Sequence, residues 1–273
     1  MSRVAFQGEL GAFSEEAVQL AFSANAEPVP CRENRDVARQ VAHGNADAGV
    51  LPVENTLAGS VPASYDAILS EPTLHIVREL VLPIHHCIMG CDGTTLDALR
   101  TVESHPIALA QCASWFVRHP AIQQRAAYDT AGAARDVAAA RDPSRGALAS
   151  RIAATHYGLV VLAENVEDRG DNQTRFVVLE RAPARTETDT PAKTVLTLEV
   201  DNKPGSLVRV LMPLSNRGLN LTKLESRPTG EPWTYHFILE FEHRAGDPDV
   251  VAALRDVERQ AAKTRVLGTY ARN

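Results

Sequence analysis

Residues 3–22 read RVAFQGELGAFSEEAVQLAF and set the pattern for the first two thirds of the chain. An apolar run, a turn with Gly8 and Gly11, and an amphipathic run follow one another, which predicts a strand, a tight turn and a helix. Ser14 is a residue type favoured at a helix N-cap, and Glu15 beside it is favoured at the positive end of the helix dipole. The predicted unit is therefore strand, turn and helix.

The same alternation continues to about residue 180. Residues 36–55 predict a helix that is followed by a buried strand at 48–53. Further apolar runs predict strands at 75–80, 81–89, 101–105, 146–150 and 175–180, and amphipathic runs predict helices at 106–119, 130–141 and 150–158. Strands that alternate with helices predict a layered α/β domain with largely parallel strands.

A different order follows residues 181–193, RAPARTETDTPAK, which have no apolar period and predict an interdomain linker. The next segments predict a strand at 194–202, a helix at 205–218, strands at 219–226 and 234–243, a helix at 247–262 and a strand at 264–271. This βαββαβ order predicts a ferredoxin-like domain, in which Pro213 should kink or shorten the first helix. We therefore divide the chain into residues 1–181, a linker at 182–192, and residues 193–273.

The composition excludes several classes of protein. A net charge of −6 over 273 residues argues against a nucleic-acid partner, because phosphate neutralisation needs a basic surface. No stretch approaches the roughly 20 apolar residues that span a bilayer, so no membrane contact is expected. The first residues meet glycine and glutamate before an apolar signal region forms, and the four cysteines give no disulfide framework. These features predict a cytoplasmic protein with reduced thiols.

One cluster has the residue types of a zinc site. His85, His86, Cys87 and Cys91 lie within seven residues. A structural zinc site usually pairs two such clusters, and the sequence has no second one. The run also alternates as a strand does, and we therefore predict no metal.

Two loops have the composition of ligand sites. Gly8 and Gly11 precede a helix whose free N–H groups could hold a carboxylate or phosphate, although a simple tight turn has the same sequence. Glu54, Asn55 and Thr56 leave a predicted strand at its carboxyl end, where ligands bind in open α/β sheets. A loop with helix caps would also explain them.

Two further segments carry polar side chains at element boundaries. Ser104 and His105 follow a strand and precede a helix that contains Gln111, but no nucleophile elbow surrounds them, so they do not indicate a serine hydrolase. Residues 170–175 are a polar turn that runs into a strand. Asp and Asn also favour such turns for local reasons, so this segment alone leaves the function open.

Taken in order, these segments resemble the motifs of prephenate dehydratases. The segments are FQGELGAFS (6–14), PVENTLAG (52–59), SHPIALAQC (104–112), and Asn172 followed by Thr174, Arg175 and Phe176. In the tail, GSLV (205–208) and ESRP (225–228) resemble the phenylalanine-site motifs of an ACT domain, with Ser206 where alanine is usual. The resemblance covers nearly the whole chain.

The resemblance implies an α/β fold, with a two-subdomain, periplasmic-binding-protein type 2-like catalytic domain followed by a ferredoxin-like ACT domain. It implies a lyase that converts prephenate to phenylpyruvate, carbon dioxide and water in L-phenylalanine biosynthesis. Because aromatisation of the ring supplies much of the driving force, no metal or organic cofactor is expected.

The resemblance also assigns roles to individual residues. Thr174 is the hydrogen-bond donor to the leaving hydroxyl, Glu54 is the suggested source of a proton, and Arg175 either holds a carboxylate or braces the cleft. The expected substrate-binding residues are Gly8, Gly11, Asn55, Thr56, Ser104, Gln111, Asn172 and Phe176. The expected phenylalanine-binding residues are Gly205, Ser206, Leu207, Val208, Glu225, Ser226, Arg227 and Pro228.

Three other functions remain open at this point. An arogenate dehydratase would share these motifs and accept an amino group in place of the keto oxygen. A non-catalytic module that binds a small carboxylate would have no need of Thr174, and a nicotinamide dehydrogenase would need a complete glycine fingerprint, which is absent. The expected partners are prephenate, L-phenylalanine and further copies of this chain, in a homodimer or homotetramer, because ACT domains pair.

Overall fold

The protein is described by a computed structural model that covers residues 1–229 and 234–272. Its backbone contacts divide the chain into two compact units. The first unit contains Met1–Pro72 and Leu80–Val177, and the second contains Thr73–Glu79 and Val178–Asn273.

The first sheet contains the predicted N-terminal strand. Its strands are β1 (Ser2–Gln7), β2 (Ala26–Cys31), β3 (Ala48–Asn55), β4 (Gly59–Ser60), β5 (His75–Pro83) and β11 (Gln173–Glu180). The order is β2-β1-β3-β11-β5, with β4 paired to β3, and β1 runs parallel to both of its neighbours. Helices α1 (Phe13–Phe22), α2 (Asn34–Ala42) and α3 (Pro62–Ser70) connect these strands, with a 3-10 turn at Ser23–Asn25.

A second sheet is inserted between β5 and β11. Its strands are β6 (Cys87–Gly90), β7 (Thr101–Ser104), β8 (Gln123–Ala126), β9 (Arg145–Ala149) and β10 (Val160–Ala163), in the order β10-β6-β9-β7-β8. Its helices are α4 (Pro106–Gln111), α5 (Ala113–Arg118), α6 (Thr130–Ala140) and α7 (Arg151–Tyr157), with a 3-10 turn at Leu96–Ala98. Because the chain leaves one sheet and returns to it, the two α/β subdomains expected for the catalytic domain are confirmed.

The second unit has the predicted βαββαβ order. It contains β12 (Pro191–Glu199), α8 (Ser206–Ser215), β13 (Asn220–Pro228), β14 (Tyr235–Arg244), α9 (Pro248–Gln260) and β15 (Lys263–Ala271). The strands form an antiparallel sheet in the order β13-β14-β12-β15. Apolar side chains of strands and helices share one core, in which Leu196, Phe241 and Val257 are fully buried. The ferredoxin-like fold is confirmed.

A buried ion cluster lies within the second unit. The Nζ atom of Lys193 is 2.8 and 2.9 Å from the two carboxylate oxygens of Glu79, and 3.3 Å from Oε1 of Glu240. All three side chains are less than a tenth exposed. Thr222 donates a hydrogen bond to Glu240 at 2.9 Å. Charges buried in this way are stabilised by one another and no longer by water.

Several predicted boundaries differ from the structure. The strand predicted at 81–89 is broken at 84–86, because β5 ends at Pro83 and β6 begins at Cys87. The helix predicted at 106–119 is two helices that meet at Cys112. The first helix begins one residue before Ser14, so the N-cap is Ala12 and Ser14 is buried inside the first turn. Pro213 lies within α8, which ends at Ser215, three residues earlier than predicted.

Candidate active site

The side chain of Asn55 is the centre of the candidate site. Its Oδ1 accepts hydrogen bonds from the main-chain N–H groups of Leu57 at 3.0 Å and Ala58 at 2.9 Å. Main-chain N–H groups can only donate, so they fix the orientation of the amide. The other atom of the amide, Nδ2, must therefore be the donor to its remaining neighbours.

Asn55 Nδ2 donates a hydrogen bond to Thr174. Asn55 Nδ2 is 2.9 Å from Thr174 Oγ1, 2.8 Å from Asn172 Oδ1 and 3.1 Å from the carbonyl oxygen of Gln173. Because Thr174 Oγ1 accepts here, the hydrogen of its hydroxyl is left for another acceptor. The side chain is nine-tenths buried on β11. The oxygen of Thr174 therefore accepts from Asn55, and its hydrogen remains available for the predicted donor role.

The hydrogen bonds continue from Asn172 into the second subdomain. Asn172 is 1% exposed, and its Nδ2 donates to Gln111 Oε1 at 3.2 Å. Gln111 is the last residue of α4, and its Oε1 lies 3.2 Å from Nε2 of His86. The predicted residues Asn55, Gln111 and Asn172 are therefore brought together, and His86 joins them.

His86 was considered in the sequence only as a possible zinc ligand. Its side chain is 2% exposed and lies edge-on to Phe13, with ring centroids 5.3 Å apart. Its main-chain N–H donates to Glu167 at 2.9 Å, and its Nδ1 atom is buried without a hydrogen-bond partner in the described part of the chain. Burial lowers the pKa of the His86 imidazole, although the bond to Gln111 opposes this.

Thr56 supports the same region from the turn after β3. Its hydroxyl donates to the carbonyl oxygen of Asp171 at 2.9 Å and accepts from the N–H of Gln173 at 3.0 Å. Its own N–H donates to the carbonyl oxygen of Gln173. Thr56 thus holds the polar turn at 171–173 against β3, which is a positioning role.

Glu54 and Arg175 form an ion pair beside this network. Arg175 Nη2 lies 2.8 Å from Glu54 Oε2. The Arg175 side chain is 15% exposed and that of Glu54 is 45% exposed. The pair joins neighbouring strands β3 and β11, the second of which carries Thr174.

The glycine turn contacts the second subdomain closely. A Cβ atom on Gly11 would lie 2.7 Å from the Cα atom of Ala153, and Gly11 has φ of +87°. Ser150 donates to the carbonyl oxygen of Gly11 at 2.6 Å. Only glycine combines this backbone conformation with this close approach.

The N–H groups of the two glycines already have acceptors. That of Gly8 donates to the carbonyl oxygen of Cys31 at 2.9 Å, and that of Gly11 donates to Glu15 Oε2 at 2.6 Å. Glu15 is 1% exposed and also contacts His156 Nε2 at 2.9 Å. A side chain of the protein thus fills the anion position expected for a ligand. Anion binding by these amides stays a prediction.

Two other predicted substrate-binding residues are enclosed by protein. Ser104 is fully buried, and its hydroxyl donates to the carbonyl oxygen of Leu148 at 2.6 Å. Phe176 is 2% exposed and is one of the largest buried side chains of the chain. Both side chains stabilise their strands in this structure, and neither has enough exposed surface to contact a ligand.

A cavity of about 630 Å³ adjoins the glycine turn. It is lined by residues of both subdomains, among them Gly8, Arg32 and Asp129. Burial raises the pKa of the Asp129 carboxyl. Gly8 is the one predicted site residue that lines this cavity; Thr174 and Asn55 do not.

The four cysteines are free thiols. Burial raises the pKa of the thiols of Cys31 and Cys87, and raises that of Cys112 to about 12. These thiols stay protonated near neutral pH and are poor nucleophiles. No cluster of three metal-ligating side chains occurs among residues 1–229 and 234–272.

The first predicted effector motif begins α8. Gly205 has φ of +78° and precedes the helix, and Ser206 is 6% exposed. The hydroxyl of Ser206 accepts a hydrogen bond from Arg209 Nη2 at 3.0 Å. Leu207 is partly buried, whereas Val208 is 61% exposed. Ser206 thus uses the hydroxyl that alanine would lack.

The second effector motif lies on β13 with alternating exposure. Glu225 and Arg227 are partly buried, whereas Ser226 and Pro228 are exposed. Lys223 pairs with Glu225 at 3.1 Å. A cavity of about 370 Å³ in this unit is lined by Ser206 and Leu207 but by none of residues 225–228.

Membrane insertion by a helix has no support. In the part of the chain that the structure describes, every helix is too short or too polar to cross a bilayer.

The two parts of the chain each match a known family. Residues 4–184 match the family described as prephenate dehydratase, and residues 194–259 match the ACT domain. The match covers the α/β part and the ferredoxin-like part in the order seen in the structure.

Similar plant proteins span most of the chain. Arogenate dehydratase 2 of Petunia hybrida is 40% identical over 283 residues, which cover 98% of this chain and 71% of the relative. Arogenate dehydratase/prephenate dehydratase 1, chloroplastic, of Arabidopsis thaliana is 38% identical with the same coverage.

Two solved structures are similar over almost the full length. A prephenate dehydratase in complex with L-Phe from Arthrobacter aurescens has a TM-score of 0.91 and 33% identity, covering 99% of this chain and 90% of that one. A protein described as GqqA, a novel type of quorum quenching acylase, has a TM-score of 0.92 and 32% identity, covering 99% and 98%.

Proposed function

This chain belongs to the prephenate dehydratase family, and we propose that Thr174 assists the loss of water while a ring carboxylate leaves as carbon dioxide. The protein is a lyase with an ACT domain, and its reaction serves L-phenylalanine biosynthesis. The observation that supports the role of Thr174 is the polarity of its hydrogen bond with Asn55.

The reaction needs one proton and a well-oriented dianion. As the bond to the ring carboxylate of prephenate breaks, its electron pair enters the ring and carbon dioxide is released. The hydroxyl on the opposite ring carbon departs with the electron pair of its carbon–oxygen bond and takes up a proton, which gives water and aromatic phenylpyruvate. A protein lowers the barrier by orienting the substrate and by donating a hydrogen bond where negative charge develops.

Thr174 meets the requirement for such a donor. Its Oγ1 atom accepts from Asn55, whose amide is fixed by two main-chain N–H groups. The threonine hydrogen is thus free to point at the leaving hydroxyl. A threonine hydroxyl is a weak acid, so Thr174 acts as an oriented donor whose bond strengthens in the transition state.

The origin of the proton is a separate question. The Glu54 carboxyl already accepts a hydrogen bond from Arg175 Nη2 at 2.8 Å. This pairing favours a bracing role for Arg175 over direct binding of a substrate carboxylate. Proton delivery by Glu54 stays a prediction.

The preference between prephenate and arogenate is open to a direct experiment. Several of the similar plant proteins are described as arogenate dehydratases, and others carry both activities in their names. We propose prephenate as the principal substrate and arogenate as the alternative. The test is kcat/KM for each compound with the same preparation, where a higher value for arogenate would reverse this assignment.

An acyl-transfer function has less support from the site. A protein with a similar structure is described as a quorum quenching acylase, so the fold alone does not determine the activity. An acylase of the nucleophilic kind needs an activated hydroxyl or thiol. Here the buried hydroxyl of Ser104 is bonded to a carbonyl oxygen, and the pKa of the Cys112 thiol is raised to about 12.

L-Phenylalanine is the proposed effector of the ACT domain. The solved prephenate dehydratase similar to this chain contains L-Phe. We propose that L-phenylalanine binds between paired ACT domains and contacts residues 205–208 and 225–228. Inhibition follows only if the effector binds one state of the enzyme better than the other.

Substitutions on β13 test this regulatory site. Glu225→Gln and Arg227→Ala should each raise the concentration of L-phenylalanine for half-maximal inhibition by about tenfold, a typical size for allosteric coupling. The physical reason is the loss of a charged partner for the effector on one strand face. The measurement is prephenate turnover against L-phenylalanine concentration. Basal kcat/KM should stay near that of the original protein, and unchanged inhibition in both variants would contradict the proposed site.

Assembly, compartment and domain limits complete the proposal. We propose residues 1–181 as the catalytic domain, 182–192 as the linker and 193–273 as the ACT domain, in keeping with the matched ranges 4–184 and 194–259. Pairing of ACT domains implies a homodimer or homotetramer. The free cysteines are consistent with a reducing cytoplasmic location.

A further inference from the structure

Gln111 carries two side-chain hydrogens that the described part of the protein leaves unused. Its Oε1 atom accepts from both Asn172 Nδ2 and His86 Nε2, each at 3.2 Å. Its Nε2 atom makes no hydrogen bond among the described residues. Gln111 is partly exposed, whereas Asn172 and His86 are almost fully buried. The free end of the amide is therefore the end available to a ligand.

The direction of every bond in this network can be worked out from the main chain. The N–H groups of Leu57 and Ala58 fix Asn55 Nδ2 as a donor, so Asn172 must present Oδ1 to it. Asn172 then presents Nδ2 to Gln111, which must answer with Oε1.

The tautomer of His86 follows from its contact with Gln111. Gln111 Oε1 can only accept, so the proton of His86 lies on Nε2. The other nitrogen, Nδ1, is buried without a partner, and a proton there would be an unsatisfied buried donor. His86 is thus a neutral imidazole with a single donor, which is aimed at Gln111. This state agrees with the lowered pKa of its imidazole.

We propose that His86 is a positioning residue of the active site, which holds Gln111 so that its side-chain NH2 group can bind an oxygen atom of the substrate. His86 and Asn172 both donate to Gln111 Oε1, and a flip of the amide would lose both hydrogen bonds. Without the bond from His86, a single bond from Asn172 holds it. This inference rests on the proposed function and adds a residue that does not touch the substrate.

Supporting contacts hold His86 itself in place. Its main-chain N–H and the ring of His85 both bond to Glu167, at 2.9 and 2.7 Å. Hydrogen bonds from His85 and His86 lower the pKa of the Glu167 carboxyl, although its burial acts in the opposite direction. Phe13 packs edge-on against the imidazole. His86 is the last residue of the break at 84–86 between β5 and β6, directly before β6 begins.

Three variants separate positioning from simple packing. His86→Phe keeps an aromatic ring but removes the donor, His86→Gln keeps a donor near the Nε2 position, and Cys87→Ala is the matched buried control one residue away. His86→Phe should lower kcat/KM for prephenate by about tenfold, the upper end of the range for one lost neutral hydrogen bond. Most of this loss should lie in KM, because Asn55 still holds Thr174.

The outcomes decide the inference separately from the proposed function. His86→Gln should recover most of the lost kcat/KM, and Cys87→Ala should match the original protein. In a Gln111→Ala background, His86→Phe should have little further effect, because the two residues act through one contact. Equal kcat/KM for His86→Phe and the original active protein would overturn the inference. An original protein that is inactive on prephenate and arogenate would instead overturn the proposed function.

A second measurement needs no turnover. Nitrogen-15 NMR of the full-length protein distinguishes the two neutral tautomers of a histidine ring. His86 should be protonated on Nε2 and not on Nδ1 near neutral pH. A proton on Nδ1 would overturn the inference even if His86→Phe failed to fold.

Discussion

Replacement of Thr174 by alanine is expected to lower kcat for prephenate by about 100- to 1,000-fold, the size found when one oriented transition-state donor is removed. The threonine hydroxyl accepts from Asn55 and has its own hydrogen left for the departing group. The loss should appear in kcat more than in KM, since the bond strengthens as charge develops on the leaving oxygen.

The fold should tolerate this change. Asn55 Nδ2 keeps two other acceptors, Asn172 Oδ1 and the carbonyl oxygen of Gln173, so no buried donor becomes unpaired. Thr174→Ser, which retains the hydroxyl, is the matched control and should retain most of the activity. The measurement is steady-state turnover of the three proteins together with their thermal unfolding midpoints. Full kcat in Thr174→Ala would contradict the proposed role.

Replacement of Lys193 by methionine is expected to lower the free energy of unfolding by about 3–5 kcal/mol, the usual cost of removing one member of a buried ion pair. The Lys193 ammonium lies between Glu79 and Glu240, and both carboxylates are almost fully buried. Methionine fills a similar volume but neutralises neither carboxylate. This loss of a counter-charge causes the destabilisation.

An exposed lysine of the same unit gives the matched control. Lys203 pairs with Asp201, but its side chain is 70% exposed. Lys203→Met should leave the unfolding midpoint nearly unchanged, because water solvates both ions of an exposed pair. Urea unfolding followed by circular dichroism compares the two variants, and similar midpoints for both would show that the buried cluster contributes little.

Most of the strands that the sequence did not predict share one position in their sheets. β2, β8 and β10 are edge strands, and the two-residue β4 pairs with β3 outside the main order of its sheet. Two prolines interrupt the pattern of β2, and β8 consists of the exposed residues QQRA. Edge strands bury fewer side chains and tolerate proline, so β2 and β8 lack the apolar alternation that marks an inner strand.

The candidate site was predictable in its members but not in its contacts. The motifs named Asn55, Asn172 and Gln111, yet their hydrogen bonds join positions 117 and 61 residues apart. The orientation of an amide depends on which donors contact it in the folded protein, and these donors cannot be deduced from the local sequence. His86 was missed for this reason, since its partner lies 25 residues further along the chain.

Glu15 illustrates the same limit for electrostatics. Its place in the first turn of α1 predicted an interaction with the helix dipole, as an acidic residue there usually makes. In the structure its carboxylate is buried and accepts the N–H of Gly11, which the sequence offered to a ligand. Local chemistry predicted the position of the charge, and the tertiary fold supplied its partners.

The most direct test of the whole account is the formation of phenylpyruvate from prephenate by the purified full-length chain, followed by absorbance with and without L-phenylalanine. The account predicts steady formation of phenylpyruvate that added L-phenylalanine suppresses. A correctly folded protein that forms no aromatic product from prephenate or from arogenate would contradict it.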